Sequence, residues 1–564
     1  MPDPMIDVSP WAVFAAQLGT IALVLALLYR SLGHAMALAY QGTRHLRVER
    51  WIYRAIGVDP DSGQSSIAYT RSVIVFSVLG VLLVLAIQLA QPFMPWSLGL
   101  PSPTVDLALN TAISFVTNTN WQSYSPELTL GYAAQALGLA VQNFLSAAVG
   151  MAVAVALFRA LAPAARETLG NFWVDLVRGT VRILLPFALV AATVLVLGGV
   201  VQNLAGFTEI TTLTGAAQSI PGGPVASQEA IKLIGTNGGG FFNANSAHPF
   251  ENPSPVISLF QIVLFLAIPF SLPRAFGEII GQPRQGRAIV GAMAVIATVS
   301  VVLMSAAEFA GAGSAPTAAG GALEGKEVRF GIPGSTLYAA ATTLTSTGSV
   351  NSMHDSYTAF GGGIAMLNMM LGEVAPGGVG SGMYGMLLLA IIAVFLAGLM
   401  IGRTPEYVGK TLGPREMGLA SAAVIVSPAL VLIGTALSLT IAPLRESVIG
   451  TSLLNEGAHG FSELLYAFTS AANNNGSAFA GITANTLWLN LALGAAMLLG
   501  RLVPIVLVLA LAGSLASKRA LPETSGTLPT HTPLFTGLLI GTTVIISALT
   551  YVPALALGPL AEGL

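Results

Sequence analysis

The chain has 564 residues, 54% of them hydrophobic and only 9% charged. A water-soluble domain carries about 25% charged residues, so most of this surface must face lipid. The net charge of −2 leaves no basic footprint for nucleic acid, and the lack of cysteine excludes disulfides, cysteine-ligated zinc, iron–sulfur clusters and a thiol nucleophile.

Met1 to Pro10 carries no positive n-region, so the first apolar run is expected to be a retained helix and not a cleaved signal. Ten apolar runs reach the length needed to cross a bilayer, about 20 residues. They lie near 11–29, 72–91, 129–158, 180–201, 256–273, 288–307, 364–402 (interrupted), 417–441, 484–513 and 533–555. The basic residues fall on alternate connections. One side collects Arg30, Arg44, Arg47, Arg50, Arg54 and Arg71, then Arg159, Arg166, Arg178 and Arg182, then Arg274, Arg284 and Arg287, then Arg403, Lys410 and Arg415, and last Arg501, Lys518 and Arg519. The other side holds only Lys232, Lys326, Arg329 and Arg445. The positive-inside rule makes the first side cytoplasmic and puts both termini outside.

Four long connections then start outside, near 92–128, 202–255, 308–363 and 442–483. Each carries a short helix-compatible stretch and then a run of small polar residues. The runs are Thr117-Asn-Thr-Asn-Trp-Gln122, Gly235-Thr-Asn-Gly-Gly-Gly240, Thr345-Ser-Thr-Gly-Ser-Val-Asn351 and Ser470-Ala-Ala-Asn-Asn-Asn-Gly-Ser477. They align in three columns: Asn118, Thr236, Ser346 and Asn474; then Thr119, Asn237, Thr347 and Asn475; then Asn120, Gly238, Gly348 and Gly476. Gln122 and Gly239 lie just beyond. A single such run is usually a surface loop; four at matching places define a repeat of helix, re-entrant half-helix, filter-like strand and helix.

The expected fold is an all-α integral membrane protein with ten transmembrane helices and four helix–pore-loop–helix repeats. The expected segments are 1–71 (an extra helix and a basic loop), 72–160, 161–275, 276–403 and 404–515 (the four repeats, the third with a broken second helix) and 516–564 (a last extra helix). Extended backbone at membrane depth survives only where it lines a watery cavity or is buried in protein. Rings of its carbonyl oxygens can replace the hydration shell of an alkali cation. No Asp or Glu lies in the four runs, which favours potassium over divalent ions. His354, Asp355 and Glu251, just downstream, are expected at the vestibule.

Two charges stand in unexpected places. Glu373 lies in Gly372-Glu-Val-Ala-Pro-Gly-Gly-Val-Gly-Ser-Gly382, which is too glycine-rich to continue a helix. Such breaks mark gates and binding sites in transporters. Arg501 lies within the apolar run 484–513. Glu373 and Arg501, with Gly377 and Gly378, are gate candidates: either the two charges meet below the filter, or Arg501 only snorkels and Glu373 sits in an exposed loop. Lys232 either pairs with a carboxylate or faces the outer vestibule. No pair among His34, His45, His248, His354, His459 and His531 has metal-ligand spacing, so they are read as interfacial or loop residues. The segment Gly402-Arg-Thr-Pro-Glu-Tyr-Val-Gly-Lys-Thr411 has six residues between its glycines where a phosphate loop has four, and is expected to be a turn. There is no Asp-Lys-Thr-Gly phosphorylation motif and no soluble block for a nucleotide domain, so any chemical energy comes from a partner.

The four runs, with Phe241-Phe-Asn-Ala-Asn-Ser246, His248-Pro-Phe-Glu-Asn-Pro253, Ser349-Val-Asn-Ser-Met-His-Asp355 and Ala478-Phe479, closely resemble the potassium-binding A-subunit family of the bacterial Kdp potassium-transporting ATPase. The resemblance covers essentially the whole chain. It implies an architecture similar to potassium channels and to Trk/Ktr/HKT transporters. It implies an inner-membrane, multi-pass subunit, which with the charge distribution puts both termini in the periplasm, working with a P-type ATPase B subunit, a C subunit and a small F peptide. Potassium is then the transported ligand, no organic cofactor is bound, and the B subunit hydrolyses ATP. The break at Glu373 matches the family's intramembrane loop, and Gln122 matches a position at the filter entrance. The competing readings are a stand-alone Trk/Ktr-type transporter, an intramembrane enzyme and a structural scaffold.

Overall fold

The computed structural model describes residues 9–163, 168–311, 321–402, 404–522 and 527–564. Arg166 and Arg403, both assigned above to the basic side, lie outside these residues, as do the first eight positions. Among the described residues ten helices are long and apolar enough to cross a bilayer: Pro10–Gln41, Ser66–Phe93, Ala134–Leu161, Phe172–Leu197, Pro255–Ile279, Pro283–Ala310, Ser381–Ile401, Pro414–Thr440, Leu487–Ala516 and Pro533–Leu557. Every expected span lands on one of them. The interrupted seventh run divides into a short helix, Ala359–Met370, and the span Ser381–Ile401. Gly372, Gly377 and Gly380 all take positive φ between the two, a conformation no helix continues through.

Four pore helices sit between successive spans: Val105–Val116, Val225–Ile234, Gly331–Leu344 and Gly457–Asn473. They are short because small polar residues end them: Thr117, Gly235 and Thr345 leave the helical pattern, and Asn474 turns left-handed at φ 62°. In the first, second and fourth repeats the pore helix packs on both long helices of its repeat; in the third it packs on Pro283–Ala310 and on the short helix Ala359–Met370. Span Leu487–Ala516 also packs on the first pore helix, which joins the fourth repeat to the first.

Burial separates the helices of each pair. In the first repeat 83% of the most apolar stretch of the second span is buried, against 28% in the first span. In the second repeat the values are 72% and 28%. The second helices therefore form an inner layer around the pore helices, and the first helices face lipid. The two extra spans pack outside this frame: Pro10–Gln41 lies along Pro255–Ile279, and Pro533–Leu557 lies against Pro283–Ala310 and Ser381–Ile401.

The helical fold carries two small antiparallel hairpins, Thr208–Thr211 with Ala217–Ile220 and Glu406–Tyr407 with Lys410–Thr411. The second lies where the sequence suggests a plain turn. It is held to the end of the ninth span, where Lys410 Nζ donates to Lys518 O at 2.6 Å and Lys518 Nζ donates to Thr411 O at 2.9 Å.

Candidate functional site

The segments that follow the four pore helices are buried. Asn118, Thr119, Asn120, Thr236, Asn237, Ser346, Thr347, Asn474 and Asn475 are each 3% exposed or less. They meet in chain order around a ring. Asn118 Nδ2 donates to Thr236 O at 2.8 Å, joining the first repeat to the second. Asn475 Nδ2 donates to Thr345 O at 2.9 Å, joining the fourth to the third. Asn474 Nδ2 donates to Thr119 Oγ1 at 2.9 Å and closes the fourth onto the first. Between the second and third repeats, Gly238 lies against the Thr347 carbonyl.

Most carbonyls of the three columns have no protein donor among the described residues. In the first column Thr236 O is taken by Asn118, and in the third Gly238 O accepts from Asn245 Nδ2 at 2.6 Å. The other three carbonyls of each of those columns accept none, and the middle column is the one in which all four, of Thr119, Asn237, Thr347 and Asn475, accept no hydrogen bond among the described residues. Buried backbone carbonyls are nearly always paired. Four unpaired ones at one level of a ring form an acceptor set suited to a cation shed of its water.

Glycine is required beside this level. A Cβ on Gly238 would overlap Thr347 O, one on Gly348 would overlap Asn475 O, and one on Gly476 would overlap Thr119 O. Gly348 and Gly476 also take positive φ, 74° and 100°. The fourth corner differs, because Asn120 carries a side chain at φ 59°. Its Nδ2 donates to Asn143 Oδ1 at 2.6 Å. Gln122 and Gly240 exchange two bonds across the first and second repeats, Gly240 N to Oε1 at 3.0 Å and Nε2 to Gly240 O at 3.3 Å. Gly239 lies against Phe115 and Asn120.

A cavity lies at each end of the columns. Asn120, Gly238, Gly348 and Gly476 line one of about 330 Å³, together with Gln122 and Asn245. Ser346 and Asn474 line another of about 120 Å³, together with Gly372, Val374 and Arg501. The broken segment around Glu373 therefore lies beneath the ring, on the side away from the larger cavity, and it touches all four repeats. Glu373 Oε1 accepts from Asn475 Nδ2 at 2.7 Å. Val379 N donates to Thr236 Oγ1 at 2.9 Å. A Cβ on Gly378 would meet Ser346, and one on Gly377 would overlap Glu373 O. Gly380 packs so tightly on Gly150 of the first repeat that a Cβ would overlap the Gly150 carbonyl.

Glu373 and Arg501 are both buried, 2% and 5% exposed, so neither the exposed loop nor simple snorkelling holds. They do not bond each other: Glu373 Oε2 and Arg501 Nη2 each lack a hydrogen-bond partner among the described residues. Glu373 is instead tied to the ring through Asn475.

The outer carboxylates and histidines differ from expectation. Glu251, His354 and Asp355 are buried behind the filter and do not line the outer cavity. His354 Nδ1 bonds Tyr466 OH at 2.9 Å, and Tyr466 OH bonds Ser477 at 2.8 Å. His459, read as a loop or interfacial residue, joins Asp355 and Glu562, at 2.9 Å each. Lys232 takes the paired alternative. It is fully buried, with Nζ 2.5 Å from Glu229 and 3.4 Å from Glu251, and it donates to Asn245 Oδ1 at 3.1 Å. Its charge thus stands one amide away from the Gly238 carbonyl. The sequence reading missed Asn143, Ser146 and Asn245 as filter supports; Ser146 Oγ donates to Asn118 Oδ1 at 2.7 Å. A polar residue on an otherwise apolar inner helix was the available signal for the first two.

Lys232→Met would leave two buried carboxylates facing each other. Breaking a buried ionic set by removing one partner costs about 3–5 kcal/mol. The expected result is a large fall in melting temperature of the purified protein. An unchanged melting temperature would remove the network from the account of filter stability.

Residues 19–564 match the model of the family described as Potassium-transporting ATPase A subunit. The chain belongs to that family. Among relatives called potassium-transporting ATPase potassium-binding subunit, this A-subunit family member is 64% identical to the protein of Clavibacter michiganensis over 97% of this chain and 98% of that one. It is 58% identical to that of Cutibacterium acnes over 98% and 100%, and 56% identical to that of Mycolicibacterium smegmatis over 99% and 100%. Among solved structures the A-subunit fold is similar to the potassium transporter TrkH from Vibrio parahaemolyticus. The TM-score is 0.54 at 16% identity, covering 87% of this chain and 97% of that one. That likeness bears on the fold alone, and it matches the four-repeat pore-loop architecture.

Proposed function

We propose that this chain is the potassium-binding, non-hydrolytic subunit of an ATP-driven potassium importer. Potassium enters from the outer cavity and sheds water into the ring of carbonyls at Thr119, Asn237, Thr347 and Asn475. The single observation that carries this reading is that ring: four buried carbonyls without protein donors, at one level, between two cavities. The names of the relatives support potassium as the ion.

The segment Gly372 to Gly382 closes the straight exit, so the ion leaves sideways. The lower cavity is lined by residues of four spans, among them Leu388, Ala423, Pro504 and Tyr551, which supports a lateral continuation from it. A P-type ATPase B subunit receives the ion there and hydrolyses ATP, with a C subunit and a small F peptide completing the complex. The complex sits in the bacterial inner membrane with the termini of this chain in the periplasm, as the distribution of Lys and Arg supports.

Arg501 keeps a positive charge in the lower cavity, which opposes a cation taking the straight path. Arg501→Gln is expected to raise passive potassium leak through liposomes several-fold. Unchanged transport together with unchanged leak would exclude Arg501 from gating.

One alternative is an autonomous gradient-driven transporter with the same four-repeat fold. Gentle purification of the tagged chain separates the two. Co-purifying ATP hydrolysis, stimulated by potassium and not by sodium, is expected. Potassium uptake in liposomes with no ATPase present would establish the autonomous transporter and remove the sideways route.

A further inference from the structure

A groove of about 810 Å³ runs along the outside of the molecule between the spans Pro10–Gln41, Pro255–Ile279 and Pro283–Ala310. It takes no part in the filter or in the lower cavity. Its walls are apolar, with Leu18 and Leu25 on the first span and Val290 and Ala294 on the sixth. At its inner end it reaches Leu344, the last residue of the third pore helix, and Pro376 of the segment under the filter.

At the opposite end the groove carries three arginines, Arg30, Arg274 and Arg287. Arg30 and Arg287 are exposed and have no carboxylate partner among the described residues. The carboxylate at this cluster, Glu278, is already engaged, by Arg274 Nη2 at 2.6 Å and by His34 Nδ1 at 2.8 Å. Arg274 Nε and Tyr29 OH are buried between them without hydrogen-bond partners. The cluster therefore has a surplus of positive charge and unused donors, on the side of the molecule where Lys and Arg concentrate.

An apolar slot that leads from a basic cluster into the membrane matches one chemistry. A phosphodiester anion satisfies guanidinium donors, and hydrocarbon attached to it fills the slot. We infer that the groove binds one anionic phospholipid, with its phosphate at Arg30, Arg274 and Arg287 and an acyl chain running toward Leu344 and Pro376. A membrane-spanning protein helix would fill the apolar slot as well, but it would leave the arginines unneutralised. The anion decides between the two.

The test is native mass spectrometry of the purified full chain, with whatever subunits accompany it, after exchange into mixed phosphatidylglycerol and phosphatidylcholine. Wild-type protein is expected to retain one phosphatidylglycerol in preference to phosphatidylcholine. Arg30→Gln/Arg274→Gln/Arg287→Gln is expected to lower that retention at least ten-fold. Ala294→Phe, which fills the slot and leaves every arginine in place, is expected to displace the lipid too, and it carries the test if the triple variant fails to fold. Equal retention of both lipids would overturn the proposal. So would loss of lipid in the arginine variant but not in Ala294→Phe, since that would mean a surface attraction without a groove. The chain has no cysteine, so Ala294→Cys provides a unique attachment point for a photoreactive probe. Capture of a polypeptide at that point, and not of phosphatidylglycerol, would assign the groove to a protein partner and end the lipid assignment.

Discussion

Gly476→Ala is expected to reduce potassium uptake by about 100-fold or more while leaving the protein folded and assembled. The added Cβ would overlap the carbonyl oxygen of Thr119, one of the four unpaired oxygens of the middle ring. At φ 100° an L-residue is also strained, so the strand cannot absorb the methyl where it stands. Either response, a displaced Thr119 carbonyl or a rotated fourth strand, breaks the ring. Gly348→Ala acts the same way on Asn475 O and is expected to match it. Gly541→Ala is the control: it lies in the last span, where a Cβ meets nothing within 4 Å, and uptake should not change. Uptake of labelled rubidium by cells starved of potassium measures all three. Full uptake in Gly476→Ala would mean that the ring is not the path.

Gly380→Val is expected to open a passive route. The segment under the filter stays in place because Gly380 and Gly150 allow backbone to touch backbone, and a Cβ at Gly380 would overlap the Gly150 carbonyl. Displacing that end also removes the bond from Val379 N to Thr236 Oγ1. On the proposed function, the segment then no longer seals the path beneath the ring. Potassium flux from liposomes without ATP should rise about ten-fold or more, as for a pore whose selectivity is retained but whose gate is gone. An unaltered leak, in a variant with wild-type melting temperature, would show that the segment does not close the pore.

The repeats were legible because membrane chemistry leaves few options. Apolar runs of bilayer length become helices, and four Gly, Asn and Ser-rich runs at matching positions cannot all be loops at membrane depth. The break at Glu373 was legible for a related reason, since the glycines of residues 372–382 together with Pro376 weigh against a helix. What contacts Glu373 was not. Its partner Asn475 is 102 residues away in the chain, and Arg501, which looked like its natural counter-charge, lines the cavity without bonding it. Charge complementarity in a sequence says which groups need partners and not which partners they find. Asn245 and Asn143 were missed for a similar reason: a polar side chain that supports a filter from behind looks the same, in sequence, as one that caps a turn. The free carbonyls became visible only when each backbone carbonyl could be assigned a donor or left without one.

The most direct measurement is anomalous scattering from thallium(I) exchanged for potassium in crystals of the protein. A peak coordinated by the carbonyls of Thr119, Asn237, Thr347 and Asn475, and lost in Gly476→Ala, is the predicted result. A peak confined to the outer or the lower cavity, with none at the ring, would contradict the account.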